Sequence, residues 1–205
     1  MLSRDLVKST RVLPHHLRKQ PEPTVEFGFT LREATATDLP EIREIYNYYV
    51  LNTVVTFDEK AMTLRAWKAK FAHLTKHGFP IIVAVSPTGQ IHGYALVSPW
   101  RQKSAFRFTV ENSVYVRPAS VNRGVGRALM TELITACRER GYREMIAVIA
   151  DSGADGSLVL HKQFGFVEVG RMGRVGFKFN RDIGTVTMQL SLKEKKKKRG
   201  SAPAD

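Results

Sequence analysis

Cysteine is nearly absent: Cys137 is the only one in 205 residues, so an intrachain disulfide and any multi-cysteine metal site are excluded, and a reducing, cytoplasmic setting fits. It falls at an apolar helix position and reads as core. No run of about 18 apolar residues occurs, so the sequence contains no membrane-spanning helix. His15, His16, His73, His77 and His92 lack metal-ligand spacing with acids or cysteine, and no metal is expected. No internal repeat is present. Acids are the scarce charge, 19 Asp and Glu against 32 Lys and Arg, for a net charge of +13.

That excess is unevenly placed. Residues 1–27 carry five basic and three acidic residues, a net of +2, and residues 193–205 carry six and two, a net of +4. Residues 28–192 keep +7, which suits a phosphate-rich cofactor. The run from Lys195 to Arg199 reads as a solvated, disordered tail, with a nuclear address or a nucleic-acid patch as the alternatives. At the other end, Arg4, Lys8, Arg11 and Arg18 imitate a transit peptide. Pro14, His15, His16 and Pro21 spoil its amphipathic helix, which leaves a disordered extension. With 43% hydrophobic residues, the segment between is long enough for one folded domain, taken as residues 28–192.

Within it, Phe27, Phe29 and Leu31 alternate as in a strand. Thr37, Asp38 and Pro40 then mark a helix start, followed by Ile42, Ile45, Tyr46, Tyr49 and Val50 at helical spacing. Leu64, Trp67, Phe71 and Leu74 predict a second helix over 63–77. The runs 81–85 and 91–97 predict a hairpin across Pro87–Gly89. A strand is expected over 106–116, with Phe106, Phe108, Val110, Val114 and Val116 on one face and Arg107, Thr109, Glu111, Ser113 and Tyr115 on the other. A helix over 124–140, a buried strand over 145–150, a short helix over 157–164 and strands near 166–170 and 185–192 complete a mixed α/β sheet.

The segment Val121-Asn122-Arg123-Gly124-Val125-Gly126 joins a strand to an amphipathic helix. Glycine lets backbone approach a ligand, and the first turn of a helix offers free N–H groups and partial positive charge. Together they can cradle a diphosphate, with Arg123 and Arg127 as further charge. A plain tight turn is the competing reading. Arg127 and Ala128 stand where a P-loop needs Lys and Ser or Thr, and the turn lies too deep in the chain for a Rossmann fingerprint.

Over roughly Phe29–Leu192 the chain resembles the GNAT acetyltransferases, and within them the phosphinothricin and methionine sulfoximine N-acetyltransferases. The resemblance rests on Leu31-Arg32-Glu33-Ala34, Pro99-Trp100-Arg101, Phe108 to Val116, the glycine turn, Leu160 to Phe166, Val175 to Phe179 and Met188-Gln189-Leu190. It implies the GNAT fold, a mixed and mostly antiparallel sheet flanked by helices, with acetyl-CoA as cosubstrate and a homodimer. The acceptor would be the primary amine of a small amino acid or analogue, attacking directly in a ternary complex. Val114, Tyr115 and Val116 would pair with the pantetheine arm, and Val121 to Gly126 would hold the pyrophosphate.

By the same resemblance Glu111 is the base that takes a proton from the acceptor ammonium. Without it, Glu111 is an exposed carboxylate or an ion-pair partner of Arg107. His161 matches the group that protonates or orients the departing thiolate, against a purely structural histidine. Trp100, Arg101, Lys103 and Phe57 are substrate-side candidates. The chain departs from the family at Val121, usually Gln or Arg, and at Ala154, usually an Asn on the arm, so that contact is either lost or taken by Asp155 or Ser157. Asp182, Ile183 and Gly184 also replace the subgroup's Trp-Leu-Asp. A protein or polyamine acceptor, or a nucleic-acid-binding module using the tail, are the alternatives, and the basic core disfavours cationic acceptors.

Overall fold

The computed structural model describes residues 27–193; the expectations for the two terminal extensions lie outside them. Thr63 opens a helix as its position predicts, its hydroxyl accepting from Ala66 N at 3.1 Å. That helix, α2 (Leu64–Lys76), follows α1 (Leu39–Asn52), and between β1 (Thr30–Glu33) and α1 the Asp38 carboxylate accepts from Thr35 N and both terminal nitrogens of Arg32. The hairpin forms as β2 (Ile81–Val85) and β3 (Ile91–Pro99). Then come β4 (Thr109–Val116), α3 (Val125–Glu139), β5 (Glu144–Ala150), α4 (Asp155–Gln163), β6 (Val167–Lys178) and β7 (Arg181–Ser191).

The seven strands form one sheet in the order β1-β2-β3-β4-β5-β7-β6. Every neighbouring pair is antiparallel except β4 with β5, which α3 connects as a crossover helix. β2 is buried along its whole length because both faces are covered. Ile82, Ala84, Ala95 and Val97 pack in the core built around Leu129, Leu133 and Cys137 of α3. Ile81, Val83, Tyr94 and Leu96 pack with Ile42, Trp67 and Leu74 of α1 and α2. The result is the mixed, mostly antiparallel α/β architecture expected, in three layers.

Four boundaries differ from expectation. Only residues 30–33 of the first stretch pair as a strand; Phe27 instead stacks with His92 at 4.7 Å and under the Arg123 guanidinium at 4.8 Å. β4 starts three residues later than expected because Ser104–Phe106 forms a 3-10 turn and the Phe108 ring is held by the guanidiniums of Arg107 and Arg143, at 4.6 and 4.2 Å from its centre. α4 starts two residues early, at Asp155. β6 runs on to Lys178 where 170 was expected and β7 starts at Arg181 where 185 was expected, the two meeting as a hairpin at Phe179 and Asn180, both with positive φ.

Gly93 fixes how closely β3 and β4 lie. A Cβ there would sit 2.8 Å from Tyr115 O and 3.1 Å from Val116 Cα, so no other residue fits without parting the strands. β4 is thereby held against β3 along Val110–Val116 while its other edge is free to diverge.

Candidate active site

β4 and β5 pair only from Thr109 to Glu111 against Glu144 to Ile146, although both run further. Beyond that point they separate, and the space between them is a cleft of about 670 Å³, a size suited to a small-molecule site. Arg117 N donates to His92 O at 2.7 Å, and the register then ties odd-numbered β4 residues to β3. Even-numbered residues turn their backbone groups toward β5, as Phe108 O does in accepting from Arg143 N at 2.8 Å. Val114 therefore presents its N–H and C=O to the cleft. Val116 O accepts from the Tyr49 hydroxyl at 2.6 Å. Tyr115 has its backbone committed to β3 and contributes its ring, packed among Tyr46, Tyr49 and Tyr94.

The glycine turn closes one end of this cleft. Gly124 is the N-cap of α3 with φ +80°, and no side chain caps that helix. Asn122 is also left-handed, at φ +62°. The first N–H groups of a 15-residue helix thus end at the cleft with no side-chain acceptor, a ready anion site. Val121, Asn122, Gly124 and Gly126 line it, whereas Val125 is buried core. Arg123 is held over Phe27, whereas Arg127 lines the cleft beside the helix amides while one of its terminal nitrogens donates to Gln163 at 2.7 Å.

Glu111 stands where the strands part. It makes no ion pair or side-chain hydrogen bond among the described residues, and Arg107 is turned away to Phe108 and Ser104 O. Burial pushes its carboxyl above the usual range, opposed by the charges of Arg101 and Lys70. An unpaired carboxylate with raised basicity in a cleft is equipped to accept a proton. Around it lie Thr56, Phe57 and Asp58 from the loop after α1. The Tyr46 hydroxyl holds that loop by bonding the Asp58 carboxylate, and the Lys178 ammonium, from the β6 end, donates to Thr56 O at 2.8 Å.

His161 is buried in the wall of the cleft with both ring nitrogens engaged. Ser157 O, 2.7 Å from Nδ1, can only accept, so Nδ1 carries the hydrogen. Nε2 then accepts from Asn112 Nδ2 at 2.9 Å. Burial lowers the imidazole pKa and favours this neutral ring. The geometry suits orienting a neighbour better than delivering a proton. Ser157 also lines the cleft, and its hydroxyl is 3.4 Å from Nδ1.

Of the other sequence candidates, Phe57 shares the cleft with Glu111. Trp100, Arg101 and Lys103 line a separate shallow hollow on the β3–β4 connection, where Arg101 stacks on Trp100 at 4.5 Å and acts on Glu111 through its charge. Sequence reasoning missed Tyr46, Asp58, Asn112 and Lys178. Tyr46 read as a core position of an amphipathic helix, and nothing in sequence signals that a lysine 122 residues from Thr56 reaches its carbonyl. Among the described residues, no cluster of three His, Cys, Asp or Glu could hold a metal, and no helix is long and apolar enough to cross a membrane.

Residues 31–186 match the family model of the acetyltransferase (GNAT) domain. The chain is 40% identical over 163 residues to a phosphinothricin N-acetyltransferase of Alcaligenes faecalis, covering 80% of this chain and 82% of that protein. It is also 40% identical over 163 residues to the L-methionine sulfoximine/L-methionine sulfone acetyltransferase of Pseudomonas paraeruginosa, covering 80% and 94%. Among solved structures, a GNAT superfamily phosphinothricin acetyltransferase from Sinorhizobium meliloti in complex with acetyl-CoA superimposes with a TM-score of 0.78 at 38% identity, covering 86% of this chain and 94% of that one.

Proposed function

The chain belongs to the GNAT acetyltransferase family and is an acetyl-CoA-dependent N-acetyltransferase, and on that premise we propose that its acceptor is the primary amine of a small amino acid of the phosphinothricin or methionine sulfoximine type. The observation that carries this reading is the parting of β4 and β5 after three residue pairs, with an uncapped helix at one end and the unpaired Glu111 at the other. The residues suit the coenzyme: Val114 offers strand edge to the amides of the arm, and the first turn of α3 offers N–H groups to the pyrophosphate.

Bound there, acetyl-CoA supplies an activated acyl group as a thioester. Glu111 takes one proton from the acceptor ammonium, and the freed amine nitrogen forms the C–N bond to the acetyl carbon as the C–S bond breaks in a ternary complex. The second proton of that nitrogen passes to the departing thiolate to give CoA thiol. His161, neutral and hydrogen-bonded on both sides, fixes the wall beside the leaving sulfur. Arg101 and Lys70, whose charges reach Glu111, favour an acceptor that carries its own anion. The test is release of free thiol from acetyl-CoA across an acceptor panel. Methionine sulfoximine and phosphinothricin should turn over faster than histone peptides or spermidine, and the reverse order would overturn the acceptor class.

We further assign a homodimer. β6 is an edge strand whose Val167, Val169, Val175 and Phe177 are each more than half exposed, an apolar edge that a second copy would cover. Light scattering should report twice the 23.1 kDa chain mass, with Val169→Asp shifting it toward the monomer. A monomer mass for the unaltered protein would contradict this.

A further inference from the structure

Of the twelve residues of β6 only the last, Lys178, is buried, at 3% exposed, while Val175 and Phe177 beside it lie open to solvent. That reverses the usual sorting, because taking an ammonium out of water costs far more than burying an apolar side chain returns. Burial lowers the pKa of the Lys178 ammonium, and the charges of Asp58 and Glu59 act against it. A lysine held in such a place calls for a reason.

Its bonding supplies one. Nζ donates to Thr56 O at 2.8 Å, and Thr56 is 5% exposed, so a buried carbonyl on the loop after α1 takes its donor from the far end of β6. The loop is held from α1 as well: Tyr46 Oη lies 3.3 Å from Thr56 Oγ1 and bonds the Asp58 carboxylate. Between these tethers stands Phe57. A Cβ at Gly176, which shares a strand face with Lys178, would sit 3.5 Å from Phe57 Cδ1, so that face of β6 packs on the loop. Thr56, Phe57 and Asp58 all line the cleft with Glu111, and Lys178 does not.

We propose that Lys178 is a positioning residue for the acceptor: by fixing the Thr56 carbonyl it sets the Thr56–Asp58 loop, and with it the wall of the pocket in which the amine meets Glu111. Its role is exerted through the loop and involves no proton transfer of its own. The proposal rests on the acceptor reading above and deepens it. Among the described residues, neither Val114 nor the first turn of α3 shares a hydrogen bond with Lys178 or Thr56, so the effect should fall on the acceptor and spare the coenzyme.

Steady-state kinetics of Lys178→Met, which keeps a long side chain and removes its donor, tests it. KM for the acceptor should rise about tenfold, the scale of one hydrogen bond from a charged donor. kcat and KM for acetyl-CoA should change little, the pattern of lost binding rather than lost chemistry. Lys178→Gln, which keeps a neutral donor on a shorter side chain, serves if the Met variant does not fold, and the same split is expected of it at smaller size. A lowered denaturant midpoint with the acceptor KM unchanged would show that the lysine only satisfies a buried carbonyl, and overturns the proposal. An equal rise in both KM values overturns it too. KM is read on whichever amine of the acceptor panel turns over fastest, so a wrong acceptor class leaves this test standing, whereas no turnover of any amine by the unaltered protein would remove both readings.

Discussion

Glu111→Gln should slow thiol release about a hundredfold or more, the scale of lost general-base catalysis, while CoA affinity is retained. Glutamine keeps the shape of the side chain and removes its basicity. Among the described residues Glu111 has no ion-pair partner to lose, so the fold should hardly notice the change. The pH dependence follows from the same burial. The base works only when deprotonated, so kcat/KM should rise with pH through the titration of Glu111, and burial places that limb above the ordinary carboxylate range. Arg101 and Lys70 pull it back, and Arg101→Ala should move it upward. The Gln variant should lose the limb. An unchanged rate in that variant would move the base elsewhere.

Trp67→Ala should cost about 3–5 kcal/mol of stability, read as a lower denaturant midpoint. Trp67 is 1% exposed and meets Tyr46 and Tyr94 edge-on, at 5.6 and 5.7 Å between ring centres. Tyr46 is the residue that holds Asp58, so the cavity should also loosen the loop beside Glu111 and raise KM for the acceptor more than for the coenzyme. Trp67→Phe should be much milder, since the indole N–H has no partner to lose among the described residues. Equal losses for the two variants would show that the ring volume is not what holds this core together.

These two residues differ in how visible they were in sequence. Trp67 repeats with Leu64, Phe71 and Leu74 at helical spacing, and a helix packed on one face must bury that row. The same logic recovered α1, α3 and the β2–β3 hairpin within one or two residues. It failed for β6 because alternation is the mark of a half-buried strand, and an edge strand exposed on nearly every residue has none. Gly170, Gly173 and Arg174, the last at φ +57°, break its register further. It failed again at Phe106, where the parity of apolar residues continued but Arg107 and Arg143 claimed the neighbouring Phe108 ring.

The site divides in the same way. Glu111, Val114, His161 and the glycine turn are contiguous motifs, legible through resemblance. Asn112 lies inside the same motif and was passed over, because its bond to His161, a residue 49 positions away, has no signal in sequence. Asp58 and Lys178 are likewise defined by partners on other elements. What sequence lacks is pairing across the fold, and polar networks consist of little else.

The central claim is that the parted strands and the uncapped helix hold the coenzyme through backbone groups. Residue-resolved amide hydrogen exchange with and without CoA tests it most directly. Exchange should slow at Val114 and in the first turn of α3 at Gly126, while Ser113 and Tyr115, already bonded to β3, stay as they were. Protection elsewhere on CoA binding, with Val114 and Gly126 exchanging as before, would contradict the account.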